Sequence, residues 1–305
     1  MGTFGFIIHP IGVSDVSRKF PIAKRLPDRL VEAGMAWMPP MKISHITGVE
    51  SQFGRAEGWF VSCPLTPRLM LSLPEEKVLR KIITAGQMAA NLGAKVVGLG
   101  AFTSVVGDAG ITVRKNLDIA VTTGNSYTVG TALEATEKAA SLMGIDMDEA
   151  NVLVLGATGS IGKVLSLIMA DNGRHLTLCA RDARRLGQVA DSITERTGMV
   201  PRVTRDLPEA VGRADVVVCV SSAVETVINA NDLKPGALVC DVSRPRNVSA
   251  EVKSLRDDVL IIEGGVVKVP GDASFNFDFG FPPGYSYACM AETMILAMEE
   301  NYSDW

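Results

Sequence analysis

The stretch Val152-Leu-Val-Leu-Gly156-Ala-Thr158-Gly159-Ser160-Ile161-Gly162-Lys163 leaves this chain few folds to choose from. Four apolar, partly β-branched residues read as a buried parallel strand, and glycines follow at 156, 159 and 162. That spacing permits a tight turn, close approach of backbone to a phosphate, and close packing of the next helix on the sheet. The first turn of that helix, predicted over 163–172, aims its N–H groups and positive dipole end at an anion. With a second strand predicted at 175–180, the stretch completes a βαβ unit of the dinucleotide-binding kind. Gly156, Thr158, Gly159, Ser160, Ile161 and Gly162 are the candidate cofactor residues.

Further strands are predicted at 199–204, 214–220, 237–242 and 259–263, separated by helical patterns such as 183–197 and 207–212. Such alternation builds an α/β fold with a Rossmann-type, doubly wound parallel sheet. Ser221 follows the fourth strand on the edge where ligands lie in such sheets, and joins the cofactor candidates. The choice of dinucleotide is read after the second strand, where an NAD enzyme usually has an acid that accepts from the ribose 2′-OH. Here Arg181 comes first, then Asp182, Arg184 and Arg185. Three guanidinium groups suit a 2′-phosphate, so NADPH is expected, with Arg181 and Arg184 as contacts. The competing reading is a solvated helix start capped by Asp182.

The region before this unit is a smaller α/β substrate domain. Strands are predicted at 3–8, 42–50, 58–63 and 95–99, with a helical pattern over 13–33 broken at Pro21 and Pro27, and a short extended piece at 35–38. Residues 74–92 form an amphipathic helix, with Val78, Leu79, Ile82, Ile83, Met88 and Ala89 near helical spacing and Gly93 as its stop. A polar loop, Thr122-Thr-Gly-Asn-Ser-Tyr-Thr128, joins the strand 119–121 to a helix over 129–143. Its residues Thr123, Gly124, Asn125, Ser126 and Tyr127 converge on one spot, either to hold a substrate oxyanion or simply to cap the helix through Asn125 or Ser126. The expected division is 1–148 for the substrate domain, 149–285 for the NADP-binding domain, and 286–305 for a C-terminal helix that completes the active site.

A chain of 305 residues fits two domains, and a net charge of −4 supplies no global positive field for nucleic acid. The N-terminus lacks a basic and then apolar leader, and no uninterrupted run reaches the ~18 apolar residues of a membrane span. A cytoplasmic protein with no transmembrane segment is expected, with peripheral membrane contact left open. The five cysteines are dispersed and odd in number, so neither a disulfide framework nor a metal site is expected.

Cys179, Cys219 and Cys240 fall inside predicted strands and Cys63 at a strand end, where cysteine acts as a small hydrophobe. Cys289 differs. It follows Phe281-Pro-Pro-Gly284 in Ser286-Tyr-Ala-Cys289-Met-Ala-Glu292, which makes Ser286 the predicted N-cap and Cys289 the third helical residue. A thiol there feels the helix dipole, which favours the nucleophilic thiolate. Its alternative is plain packing on the apolar face of the last helix. Of the three histidines, His9, His45 and His175, only His9 at the end of the first strand is placed to approach a site, and a core or capping role suits it better.

Taken together, Gly156-Ala-Thr-Gly-Ser-Ile-Gly162, Thr122-Thr-Gly-Asn-Ser-Tyr-Thr128, Gly98-Leu-Gly-Ala-Phe-Thr-Ser104 and Tyr287-Ala-Cys-Met-Ala-Glu292 resemble the cyanobacterial long-chain acyl-[acyl-carrier-protein] reductases and their bacterial relatives. The resemblance runs from the first strand to the last helix. It implies reduction of a fatty acyl thioester to an aldehyde with NADPH, through an acyl-enzyme on the cysteine that falls at Cys289. Two departures stand out: Tyr127 occupies a position that is histidine in the cyanobacterial segment, and the chain stops at Trp305 where those enzymes continue. The donor is expected to be acyl carrier protein or coenzyme A. An acidic carrier protein would meet a local cationic face, for which Arg18, Lys19, Lys24, Arg25 and Arg29 are candidates. The rival readings are an NADP-dependent dehydrogenase of the shikimate or amino-acid type, and a non-catalytic dinucleotide sensor.

Overall fold

The computed structural model describes residues 1–224 and 226–303, and for 17–19 the backbone alone. Contacts divide the chain into two units, Met1–Tyr127 with Val266–Trp305, and Thr128–Gly265.

The first unit carries β1 (Gly2–Ile8), β2 (Lys42–Ser51), β3 (Gly54–Ser62), β4 (Val96–Leu99) and β5 (Ala120–Thr122) in the order β2-β3-β1-β4-β5. Only β2 runs antiparallel to its neighbour. Side chains alternate across the pleat, so Ile7, Val61, Val97, Leu99 and Val121 pack with helix Glu75–Asn91, while Phe4, Phe6, Phe60, Val96 and Ala120 point the other way. That second face is covered by helix Ala288–Met298, through Met290, Met294, Leu296 and Ala297. The predicted extended piece at 35–38 is mostly the last turn of helix Asp28–Trp37, because Val31 and Met35, one helical turn apart, share a small buried cluster.

The second unit holds β6 (Asn151–Leu155), β7 (His175–Cys179), β8 (Arg202–Thr204), β9 (Val216–Cys219), β10 (Leu238–Asp241) and β11 (Leu260–Ile262). All six are parallel in the order β11-β10-β9-β6-β7-β8. Counted from β6 this is the doubly wound dinucleotide-binding order, as expected from the sequence. Both faces are buried: Val152, Val154, Val216, Val218 and Leu238 enter one core, Leu153, Leu155, Val217 and Val239 the other.

The division falls at 127/128 and 265/266, not near 148 and 285. Helix Asn125–Met143 contributes Val129, Ala132, Ala139 and Ala140 to the core of the dinucleotide unit. After β11 the chain returns to the first unit as an antiparallel pair, β12 (Val266–Lys268) with β13 (Tyr285–Tyr287), and then the buried helix Ala288–Met298. A helix apolar on nearly every side needs cover all round, and the Phe4/Phe6/Phe60 face supplies one wall.

His9 is structural. Its Nδ1 faces the Pro10 carbonyl at 3.1 Å, and its Nε2 accepts from the Phe102 N–H at 3.1 Å. Burial pulls the imidazole down to about 4, against the opposing pull of the Pro10 carbonyl. Folded His9 thus refuses a proton that the unfolded chain accepts below about pH 6.5, so stability is unaffected above that pH and falls as pH drops towards 4. Between about pH 7 and pH 5 the loss should be on the order of 2 kcal/mol in urea titrations and should shrink in His9→Asn; an unchanged slope would assign it to other groups.

Candidate active site

Cys289 is the second residue of helix Ala288–Met298, whose N-cap is Tyr287, not Ser286. Ser286 pairs with Val267 across the β12–β13 ladder and is fully buried, with its hydroxyl on the Tyr287 carbonyl, so it cannot cap. The Tyr287 side chain makes no cap bond to this helix start, and Cys289 there is half-buried.

The polar turn predicted as an oxyanion site lies against it. Gly124 has φ +69°, and a methyl group on it would overlap Cα and Cβ of Cys289. The strand ends at Thr122, and the helix begins at Asn125, four residues earlier than expected. Glu292, only 8% exposed, clamps this turn: its Oε1 accepts from the Thr122 hydroxyl at 2.5 Å and its Oε2 from the Tyr127 N–H at 2.7 Å. A carboxylate from another helix thereby takes an amide at the start of Asn125–Met143, where an anion is favoured. The Gly124 N–H donates to Thr122 Oγ1 at 3.0 Å. Of the proposed donors, Gly124 and Tyr127 therefore spend their amides on holding the turn. Thr123 and Asn125 are half-buried, whereas Ser126 and Tyr127 are exposed. One turn beyond Cys289, Thr293 donates to its carbonyl at 3.1 Å and fits against Gly98, whose missing side chain leaves the room.

Two features escaped the sequence reading. Glu292 looks like any helical glutamate. The run Phe275, Phe277, Phe279, Phe281 has a period-two signal that was visible, and its rings form a chain: Phe60 to Phe279 at 5.5 Å, Phe279 to Phe281 at 5.6 Å, Phe281 to Tyr287 at 4.7 Å. This aromatic chain ends two residues before Cys289.

The other four cysteines are buried, and burial pushes their thiols up: Cys63 to about 12, Cys240 to about 11, Cys179 and Cys219 upwards as well. His45 stacks on Trp59 at 5.5 Å and meets Glu57 at 3.0 Å, and His175 opens β7 in an exposed position.

In the dinucleotide unit, Gly156 has φ +91°, and a side chain there would come within 2.7 Å of the Ser221 backbone. Gly162 would likewise run into the Gly156 carbonyl. Gly159 is the exposed N-cap of helix Ser160–Asp171 and has no side chain to cap it. Thr158 and Ile161 are half-buried and Ser160 exposed around the turn. Such a cradle, kept open by missing side chains at a helix start, fits a pyrophosphate. The Ser221 backbone lies beside Gly156, and its hydroxyl accepts from the Ala223 N–H at 3.0 Å.

Asp182 does cap helix Ala183–Thr197, accepting from the Arg185 N–H at 3.0 Å, a bond that holds its carboxyl below the usual range. Arg181, Arg184 and Arg185 are exposed and, among the described residues, in no ion pair. The pairing of β7 with β8 ends at Cys179↔Thr204, just before the exposed Arg205. Arg181→Ala should weaken NADPH by about 1–3 kcal/mol and leave NADH nearly unchanged. Equal losses in titrations with the two cofactors would show that Arg181 does not read the 2′-phosphate.

A family model for shikimate/quinate 5-dehydrogenase matches residues 137–262. The long-chain acyl-[acyl-carrier-protein] reductase of Synechococcus elongatus is 28% identical over 97% of this chain and 89% of its own length. The chain resembles the long-chain acyl-[acyl-carrier-protein] reductases. Aminotransferase PigE of Serratia sp. is 29% identical over 98% of this chain, which spans only 36% of that protein. The solved glutamyl-tRNA reductase of Methanopyrus kandleri is 22% identical over 61% of this chain and 46% of its own, with a TM-score of 0.35. Beside the aminotransferase, the matches are to a reductase and a dehydrogenase family model, and the cofactor is NADP(H). No helix among the described residues is long and apolar enough to cross a membrane.

Proposed function

We propose that this chain reduces an acyl thioester to an aldehyde, with Cys289 as the nucleophile and NADPH as the reductant. The observation that carries the reading is the placement of Cys289. It sits half-buried in the first turn of its helix against the Gly124 turn, while every other cysteine is buried with its thiol pushed up.

The helix dipole favours an anionic sulfur on Cys289. That sulfur attacks the thioester carbonyl, the new carbon–sulfur bond to Cys289 forms, and the carrier's carbon–sulfur bond breaks, releasing its thiol after protonation. NADPH, for which Gly156, Gly159 and Gly162 form the cradle, would supply a hydride to the acyl carbon; the carbon–sulfur bond to Cys289 would then break, returning the thiolate with free aldehyde. Amides at the start of helix Ala288–Met298, with Thr123 and Asn125 of the adjoining turn, are the donors we assign to the carbonyl oxygen. The Phe279–Phe281–Tyr287 rings offer an apolar wall for the acyl group, a fit to a fatty thioester from carrier protein or coenzyme A.

The test is intact-mass analysis after incubation with assorted acyl thioesters and no NADPH, followed by peptide mapping. An acyl mass on the peptide holding Tyr287-Ala-Cys289-Met-Ala-Glu292 is expected. The match to the shikimate/quinate dehydrogenase model favours one other reading, direct oxidation of a hydroxy acid, which predicts no adduct and turnover that survives loss of Cys289.

A further inference from the structure

The segment Pro21–Trp37 of the first unit turns an apolar surface outward as well as inward. Inward, Ala23, Val31 and Met35 are buried together, and Glu32 is held by Thr66 and Arg68. Outward stand Ile22 at 71% exposure, Leu26 at 46%, Leu30 at 60% and Trp37 at 90%. In helix Asp28–Trp37 the exposed positions 30, 33, 34 and 37 share one face, Leu-Ala-Gly-Trp, with no charge on it. A surface helix normally puts its polar side there. Interleaved with the apolar side chains are three cations, Lys24, Arg25 and Arg29, and one acid, Asp28; all are exposed, and the cations are, among the described residues, in no ion pair. The side chains of Arg18 and Lys19, expected to join this face, lie outside the described residues.

We propose that the outer face of residues 21–37 docks on an anionic lipid surface. Ile22, Leu26, Leu30 and Trp37 enter the boundary between headgroups and acyl chains, and Lys24, Arg25 and Arg29 meet lipid phosphates. Tryptophan beside aliphatic side chains and cations is the composition of an interfacial element. A second copy of this chain fits the face poorly, because a two-fold contact brings each set of three cations against its twin. An acidic carrier protein accounts for the cations but needs a separate depression for each protruding side chain. The fluid acyl boundary needs none. The inference is independent of the thioester reading, since neither Cys289 nor the cofactor cradle takes part.

The test is co-sedimentation of the full chain with vesicles of phosphatidylcholine, with and without phosphatidylglycerol, together with tryptophan quenching by brominated lipid. Binding to the anionic vesicles, weakened by salt, is expected. Leu30→Ala with Trp37→Ala, or Lys24→Glu with Arg25→Glu, should lower it at least about tenfold, while far-UV circular dichroism stays that of the parent. Quenching should be lost in Trp37→Phe, which leaves Trp59 and Trp305 in place. Absence of binding to anionic vesicles would overturn the proposal, as would full binding by both double variants. So would vesicle-free protein that instead holds an acidic carrier protein or a second copy through this face.

Discussion

Cys289→Ser should abolish the acyl adduct and lower aldehyde formation at least about a thousand-fold, while NADPH binds as in the parent. Serine is nearly isosteric and keeps the helix start, so the loss reports chemistry and not packing. A serine hydroxyl is far less acidic than a thiol, so the helix dipole that favours a thiolate does little to activate it. Retained NADPH affinity is expected because the cradle at Gly156, Gly159 and Gly162 belongs to the second unit, whereas Cys289 belongs to the first. Mass spectrometry with NADPH withheld, aldehyde assay and cofactor titration measure the three quantities separately. A serine variant that reduces thioesters at the parent rate would end covalent catalysis and leave direct hydride transfer to a bound substrate.

Gly124→Ala carries the second large effect, and it arises from geometry alone. The residue sits at φ +69°, a region costly for alanine, and its new methyl would overlap the backbone and Cβ of Cys289, which cannot swing aside as a flexible side-chain tip could. Strain and overpacking together should cost about 2–4 kcal/mol in chemical denaturation. Relief requires either the turn or the cysteine to shift, and a displacement of about 1 Å at the nucleophile should slow acylation on the order of a hundred-fold. Gly130 is the control. It lies in helix Asn125–Met143 with nothing within 4 Å of an added methyl, so Gly130→Ala should be neutral or stabilise by up to about 1 kcal/mol. If Gly124→Ala matched Gly130→Ala in both stability and acylation, the packing of the turn on Cys289 would be refuted.

The dinucleotide unit was legible in the sequence because its information is local. A βαβ unit is specified by a strand pattern, a glycine turn and an amphipathic helix within a few dozen residues, and the handedness and order of the remaining strands follow from chain connectivity. The exposed arginines after β7 and the burial of four cysteines in or beside strands likewise follow from local sequence. The boundary between the units was not local. The stretch 266–285 reads as an irregular extension of the dinucleotide domain, and only the pairing of β12 with β13 and the burial of helix Ala288–Met298 on the first sheet return it to the first unit. The N-cap moved from Ser286 to Tyr287 for the same reason, since a serine drawn into a ladder and fully buried has no freedom to reach back to a helix amide. Glu292 and Gly124 show the limit most clearly. Neither periodicity nor composition can announce that a carboxylate will meet a hydroxyl 170 residues earlier in the chain, or that a glycine is needed because a cysteine backbone lies where its side chain would be. Such pairs are set by how one helix settles on one sheet, and the residues involved carry no local signal of it because their own segments would form without the contact.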